Sequence, residues 1–239
     1  MNLVLLQETD FSQADQVQLQ DRRADHIRDI HRAKVGDSVR IGMLNGLTGM
    51  GVITGLNQQS VEIETGPLDQ PPPPVSPITL VLALARPKQM RRIFRSVAEF
   101  GIKHLIVINS WRVEKSYWQS PLLEQTAIDD YFYQGLEQAR DTVMPIIEFK
   151  RLFKPFVEDE LPGLLEGSTG LVAHPGSDDP CPLTASGPIT LAVGPEGGFI
   201  PYEVEKLCSA GMSPIHLGPR ILRVENAVSA LSARLGGTL

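Results

Sequence analysis

The 239-residue chain has two cysteines, Cys181 and Cys208, and neither stands in a C-x-x-C pair. That excludes a disulfide framework and points to reduced thiols in a cytoplasmic protein. No apolar run approaches the ~18–20 residues that a membrane-spanning helix requires. The opening Met1-Asn2-Leu3-Val4-Leu5-Leu6 lacks a basic flank and meets Glu8 and Asp10 at once, which speaks for a strand and against a secretory signal. His26, His31, His104, His174 and His216 are scattered without ligand spacing, so no metal is expected. Neither G-x-G-x-x-G nor a Walker A sequence occurs, which disfavours ordinary dinucleotide or triphosphate binding. A general excess of positive charge is missing too. The formal charge of −6 speaks against non-specific nucleic-acid binding by the whole surface.

Basic residues are instead gathered locally. Arg86, Lys88, Arg91, Arg92, Arg95 and Lys103 face one acid, Glu99, and Arg22, Arg23, Arg28, Arg32, Lys34 and Arg40 lie in a second cluster with four aspartates. Such patches suit a directed RNA surface, with Arg22, Arg23, Arg32, Lys88, Arg91, Arg92 and Arg95 as candidate contacts. Lys88, Arg91, Arg92 and Arg95 share one helix face, and the plainer alternative for that stripe is a solvated face.

Pro71-Pro72-Pro73-Pro74, with Pro67 and Pro77 around it, favours stiff polyproline II and predicts a linker over 67–77. Before it, residues 1–66 read as a small β-barrel domain. Ser38-Val39-Arg40-Ile41, Gly51-Val52-Ile53-Thr54 and Ser60-Val61-Glu62-Ile63-Glu64 alternate in polarity, and a short helix fits 25–31. After it, over 78–239, strands alternate with helices. Strands are predicted at 79–84, 105–109, 146–149, 171–173, 189–193 and 214–217. Helices are predicted at 88–100, within 122–142, at 201–210 and at 225–235. Met90, Ile93, Phe94, Val97 and Ala98 mark the buried stripe of the first helix. This alternation implies an α/β fold with a mostly parallel sheet covered by helices.

Two late segments carry the chemistry. In Val193-Gly194-Pro195-Glu196-Gly197-Gly198-Phe199-Ile200-Pro201 a strand ends, a glycine-rich loop follows and a helix begins at a proline. Glycine lets backbone approach a ligand closely, and in open parallel sheets ligands bind beyond the carboxyl ends of strands. Glu196 would repel a phosphate. In Leu217-Gly218-Pro219-Arg220-Ile221-Leu222-Arg223-Val224-Glu225-Asn226-Ala227, two arginines bracket two apolar residues ahead of the last helix. Apolar loop residues with two guanidiniums suit an adenine beside a charged substrate. A ligand-free tight turn and a surface pair between Arg223 and Glu225 are the simpler alternatives.

Together the two segments resemble the RsmE family, SPOUT-superfamily enzymes that methylate N3 of a uridine in 16S ribosomal RNA. The resemblance covers nearly the whole chain. Ala24-Asp25-His26-Ile27, Arg32 and Val35-Gly36-Asp37 resemble the family's PUA-like RNA-binding barrel. Lys88-Gln89-Met90, Glu99-Phe100-Gly101 and Glu137-Gln138 resemble signatures of its catalytic domain. Val224 and Asn226 stand where the family has threonines, and Ser96 where lysine is common.

The resemblance implies a knotted SPOUT domain with a C-terminal trefoil, a homodimer with its site near the subunit interface, and S-adenosylmethionine held by three loops. On that basis the cofactor residues are Ala173, His174, Val193, Gly194, Glu196, Gly197, Gly198, Leu217, Gly218, Ile221, Leu222, Asn226 and Ala227. Arg223 is the expected stabiliser of a uracil anion, with Arg220 assisting or gripping phosphate. Glu225 is a base or an orienter of Arg223, and His174 is a second candidate base. A non-catalytic RNA-binding or assembly protein on the same fold, and a ribose 2′-O-methyltransferase, are the competing readings.

Overall fold

A computed structural model describes residues 2–183 and 186–236; Met1 and Leu239, the outer limits of the two expected domains, lie outside them. The chain forms two compact units, Met1–Pro74 with Tyr133–Met144, and Val75–Phe132 with Pro145–Leu239.

The first unit is a six-stranded sheet of β1 (Val4–Leu6), β2 (Phe11–Gln13), β3 (Gln16–Leu19), β4 (Ser38–Met43), β5 (Thr48–Leu56) and β6 (Val61–Gln70), in the order β1-β4-β5-β6-β3-β2. Only the β1–β4 pair is parallel. Val61 and Ile63, alternate residues at the start of β6, join Val17, Leu19, Ile41 and Ile53 in its core, as the period-2 alternation requires. The helix expected at 25–31 starts earlier, as α1 (Arg22–Asp25), and continues as a π-helical turn over His26–Ile30. Asp21 caps it by accepting from the Arg23 amide at 2.8 Å. β6 runs three residues past Pro67, into the stretch read as linker. Pro67 is tolerated there because the register against β5 shifts between Gly49 and Gly51, leaving a bulge.

Residues 133–144 also belong to this unit, although they come from the middle of the chain. Glu137, 3% exposed, accepts from both terminal nitrogens of Arg22 at 2.7 and 3.1 Å. Burial pushes its carboxyl above the ordinary range, and Arg22 only partly offsets this.

The second unit holds β7 (Ile78–Ala83), β8 (His104–Ile108), β9 (Ile146–Lys150), β10 (Thr169–Ala173), β11 (Ile189–Val193) and β12 (Ser213–Ile215). Their order is β12-β10-β11-β7-β8-β9, and every pair is parallel. Parallel strands covered on both faces read as continuous apolar runs; β11 is buried at all five positions. Its helices are α2 (Pro87–Glu99), α3 (Gln125–Ala139, shared with the first unit), α4 (Phe153–Pro155), α5 (Leu161–Leu165), α6 (Pro201–Ser209) and α7 (Val224–Leu235). On α2 the buried residues are Met90, Ile93, Phe94, Val97 and Ala98, the stripe expected from helical periodicity. α7 packs on α2 and β11, and α6 on β10 and β12. No helix among the described residues is long and apolar enough to cross a membrane.

Candidate functional site

Because all six strands of the second unit are parallel, their carboxyl ends share one edge of the sheet. The loops leaving the neighbouring strands β12, β10 and β11 therefore emerge side by side. His174 follows β10 directly, and its amide donates to the Ile215 carbonyl of β12 at 2.8 Å. Beyond β12, the same connection returns on the other side. The His216 amide donates to Asp179 at 2.9 Å, and Cys181 donates to His216 at 2.8 Å. β12 thus runs with β10 on one flank and Pro180 on the other. Burial pushes the Cys181 thiol up, which keeps it protonated and unreactive there.

The glycine loop after β11 is built from backbone constraints. A side chain at Gly194 would bring its Cβ to 2.9 Å from the Phe199 nitrogen, so only glycine fits without moving the loop. Gly198 has φ of +70°, with open space where a Cβ would sit. Glu196 turns out to be a structural clamp as well as a charge. Its Oε1 accepts from the Arg86 amide at 2.8 Å, tying the loop to the start of α2. Arg112 donates to the Gly197 carbonyl from the loop after β8.

Glu203, absent from the sequence reading, secures the far end. It is 3% exposed, and its carboxylate accepts from Ile200 at 3.0 Å and from Trp111 at 2.7 Å. The signal was present in the sequence: a glutamate at the third position of a helix opened by Pro201 is one half of a capping box.

After β12, Gly218 turns the chain with φ of +104°, its amide donating to His216 Nδ1 at 2.9 Å. The stretch that follows is apolar yet outward: Ile221 is 82% exposed and Leu222 39%. Arg220 and Arg223 are exposed and have no side-chain bond among the described residues. Arg223 supplies the N-cap backbone of α7.

Glu225 is not Arg223's surface partner. It is buried at 6% exposure, and Oε1 accepts from Arg92 on α2 at 3.3 Å. Among the described residues Oε2 is buried with no hydrogen-bond partner, as is Oε1 of Gln89 one helical turn before Arg92. Two orphaned acceptors near the junction of α2 and α7 are a standing cost unless a donor from outside the chain reaches them. Asn226 is exposed and Ala227 half-buried on the first turn of α7.

The basic candidates divide. Lys88 and Arg91 are exposed on α2, whereas Arg92 is drawn to Glu225 and the Arg95 guanidinium lies 4.7 Å over the Tyr131 ring. Arg32 is exposed in the first unit with φ of +53°. Arg23 does not sit on a surface. It is 8% exposed, with its donors taken by Asp10, Asp21 and the Leu5 carbonyl. The apolar contacts of α1 with the core pull Arg23 inward, and the two carboxylates make that burial tolerable.

Known proteins are similar to this chain in sequence and in fold. The profile described as the RNA methyltransferase domain matches residues 71–236. A ribosomal RNA small subunit methyltransferase E of Treponema pallidum is 27% identical over 98% of this chain and 90% of its own length. The crystal structure of a ribosomal RNA small subunit methyltransferase E from Neisseria gonorrhoeae, bound to S-adenosyl methionine, shares the fold. Its TM-score is 0.73 at 22% identity, over 98% of this chain and 95% of that one. A Legionella pneumophila methyltransferase solved with the same cofactor has a TM-score of 0.75 at 20% identity, over 99% of both chains.

Proposed function

This chain belongs to the RNA methyltransferase family, and on that premise we propose that it methylates N3 of a specific uridine in 16S ribosomal RNA, using S-adenosylmethionine. The observation that carries the reading is the meeting of the loops after β10, β11 and β12 at one sheet edge, beside Arg220 and Arg223, which have no side-chain partner among the described residues.

The residues present fit the cofactor. Gly198 and Gly218 leave backbone open to a ligand, and the outward Ile221 and Leu222 offer apolar faces to a purine. The orphaned Glu225 Oε2 and Gln89 Oε1 accept from hydroxyl or amino donors. Ala173, His174, Val193, Leu217, Asn226 and Ala227 complete the proposed contacts. When bound, S-adenosylmethionine supplies a methyl group activated by its sulfonium.

The chain's own residues handle the charge, and the N3 proton passes to His174 or to solvent water. Uracil N3 carries a weakly acidic proton between two carbonyls, and a cation beside a carbonyl oxygen favours the anion. Arg223 takes that role, and Arg220 assists or holds a phosphate. Glu225 fixes Arg92 rather than Arg223, so its task is to position α2 against α7 and to accept from the cofactor. Holding the base in line contributes up to ~7–11 kcal/mol when the geometry is productive.

The first unit is a PUA-like RNA-binding domain, with Arg32 as a phosphate contact, and Lys88 and Arg91 grip RNA from α2. The C-terminal segment is knotted, which the placement of β12 between β10 and Pro180 supports. The protein works as a homodimer. The deciding experiment incubates it with ribosomal RNA, small subunits and labelled cofactor, then maps the modified nucleotide. Label on N3 of one uridine is the expected result; label on a ribose hydroxyl, or saturable RNA binding without transfer, would overturn it.

A further inference from the structure

A cavity of about 780 Å³ opens in the second unit beyond β8 and β9. Both tryptophans of the chain line it, Trp111 and Trp118. They are held in different ways. The Trp118 indole is fixed: Nε1 donates to Asn109 at 3.0 Å, Phe149 meets it edge-on at 6.2 Å, and the Arg151 guanidinium lies 5.2 Å over its ring. Trp111 has a fixed backbone, its amide bound to the buried Glu203 at 2.7 Å, yet the residue is 80% exposed. A large apolar ring held by its main chain and left in water is costly unless something covers it.

The charge around the ring indicates what covers it. Lys115, Arg151 and Lys154 line the cavity, and Glu203, the acid among the lining residues, spends both carboxylate oxygens on backbone amides. This basic, aromatic surface belongs to a chain whose formal charge is −6. Ser110 at the cavity keeps a buried hydroxyl with no partner among the described residues, ready to bond a polar edge. Stacking rings beside cations are what single-stranded nucleic acid requires: aromatic faces take bases, and cations take phosphates.

We propose that this cavity holds an unpaired nucleobase of single-stranded RNA, stacked on Trp111, with the flanking phosphates on Lys115, Arg151 and Lys154. The inference rests on the RNA methyltransferase reading and adds a place for a neighbour of the target nucleotide. The position suits that role. Glu203 joins Trp111 to Ile200, and Arg112, next to Trp111, donates to the Gly197 carbonyl. The cavity therefore borders the glycine loop on the same sheet edge. A base seated there would fix the strand's direction across the loop and help decide which uridine reaches it.

The test uses intrinsic tryptophan fluorescence, which reports on this cavity because both tryptophans line it. Full-length protein is titrated with a uridine decamer, with an abasic ribose-phosphate decamer of equal charge, and with oligoglutamate. Saturable quenching by the uridine decamer alone is expected. Trp111→Ala should weaken decamer binding by about 5- to 150-fold, the span of one base-stacking contact. Trp111→Phe should recover most of it. Lys115→Gln with Arg151→Gln should flatten the log–log salt dependence by ~1.4 on the single-strand coefficient. Affinity for S-adenosylmethionine should stay unchanged in Trp111→Ala. Equal quenching by the abasic decamer or oligoglutamate would overturn the proposal, as would unaltered decamer affinity in a folded Trp111→Ala protein that still methylates ribosomal RNA. Base-dependent quenching in a protein that transfers no methyl group would support the cavity and sink the enzymatic reading instead.

Discussion

At the scale of the residue, Arg223 and Arg23 show how differently one side chain can be used. Arg223 gives its backbone to the start of α7 and keeps its guanidinium outward and unpaired among the described residues. If it stabilises the developing uracil anion, Arg223→Ala should lower single-turnover methylation by ~10²–10³ while cofactor affinity changes little. Lysine should recover part of the rate, because it replaces the charge but not the planar fork. Raising pH should narrow the gap for alanine, since more uracil then ionises without help. A parallel loss of cofactor affinity and rate, with no pH effect, would move the role elsewhere.

Arg23 is instead buried between carboxylates. Burial pushes Asp21 upward, but hydrogen bonds and charge from Arg23 outweigh it and hold Asp21 below the ordinary value. A depressed carboxyl contributes stability above its unfolded pKa and loses it as pH falls through the folded value. Asp21→Asn keeps a capping oxygen and removes the charge. It should therefore lower stability to urea at pH 7 by up to about 1 kcal/mol, after screening of a half-exposed group. The deficit should shrink below pH 4. A pH-independent deficit would point to the cap rather than the charge.

At the scale of the element, the glycine loop and α2 respond to substitution for separable reasons. Gly194→Ala meets main chain, the Phe199 nitrogen at 2.9 Å, so the loop itself must shift. Gly198→Ala meets nothing within 4 Å and costs only the left-handed conformation, ~1–2 kcal/mol. Calorimetry should accordingly find cofactor binding lost in the first and reduced about tenfold in the second. Gly197→Ala presses only on the flexible Arg112 stem and should be the mildest.

On α2, Lys88→Gln with Arg91→Gln should flatten the salt dependence of RNA binding by ~1.8 on the duplex coefficient, with cofactor affinity intact. An unchanged slope would leave that face merely solvated. Arg92→Gln removes the partner of buried Glu225 and should disturb cofactor binding as well, which separates it from its neighbours on the same helix.

At the scale of the whole molecule, one contact spans the chain. Arg22 reaches Glu137 across 115 positions, and residues 133–144 join the N-terminal unit as a result of such returns. Glu137→Ala should cost ~1–3 kcal/mol, because it empties a buried acceptor site opposite two guanidinium donors. Glu137→Gln should cost less, since the amide oxygen still accepts and the carboxylate's desolvation is relieved. Burial raises the Glu137 carboxyl, so the folded state takes up this proton first on acidification. Against Glu137→Gln, the native protein should gain relative stability as pH falls through that raised value. Denaturant melts of both proteins at pH 7 and pH 5 measure it; a gap independent of pH would contradict the assignment.

What the sequence determined by itself was whatever depends on near neighbours. The α2 stripe and the largely apolar β11 follow from periodicity, and the two loop motifs follow from glycine and proline at strand ends. β2, β3, α4 and α5 escaped that logic. β2 and β3 are short and mostly polar, with only Phe11, Val17 and Leu19 marking the inner face, and α4 and α5 are single turns held by their surroundings.

Only tertiary structure decided which charges are used internally. Seven arginines and lysines looked alike as RNA contacts. The fold buries Arg23 between Asp10 and Asp21, ties Arg22 to Glu137, draws Arg92 to Glu225 and sets Arg95 over Tyr131. It leaves Arg32, Lys88 and Arg91 facing solvent. The physical reason is distance along the chain. A guanidinium's partner is whichever carboxylate the folded backbone brings within about 4 Å, or ring within about 6 Å, and the Arg92–Glu225 pair spans 133 positions that no local pattern encodes.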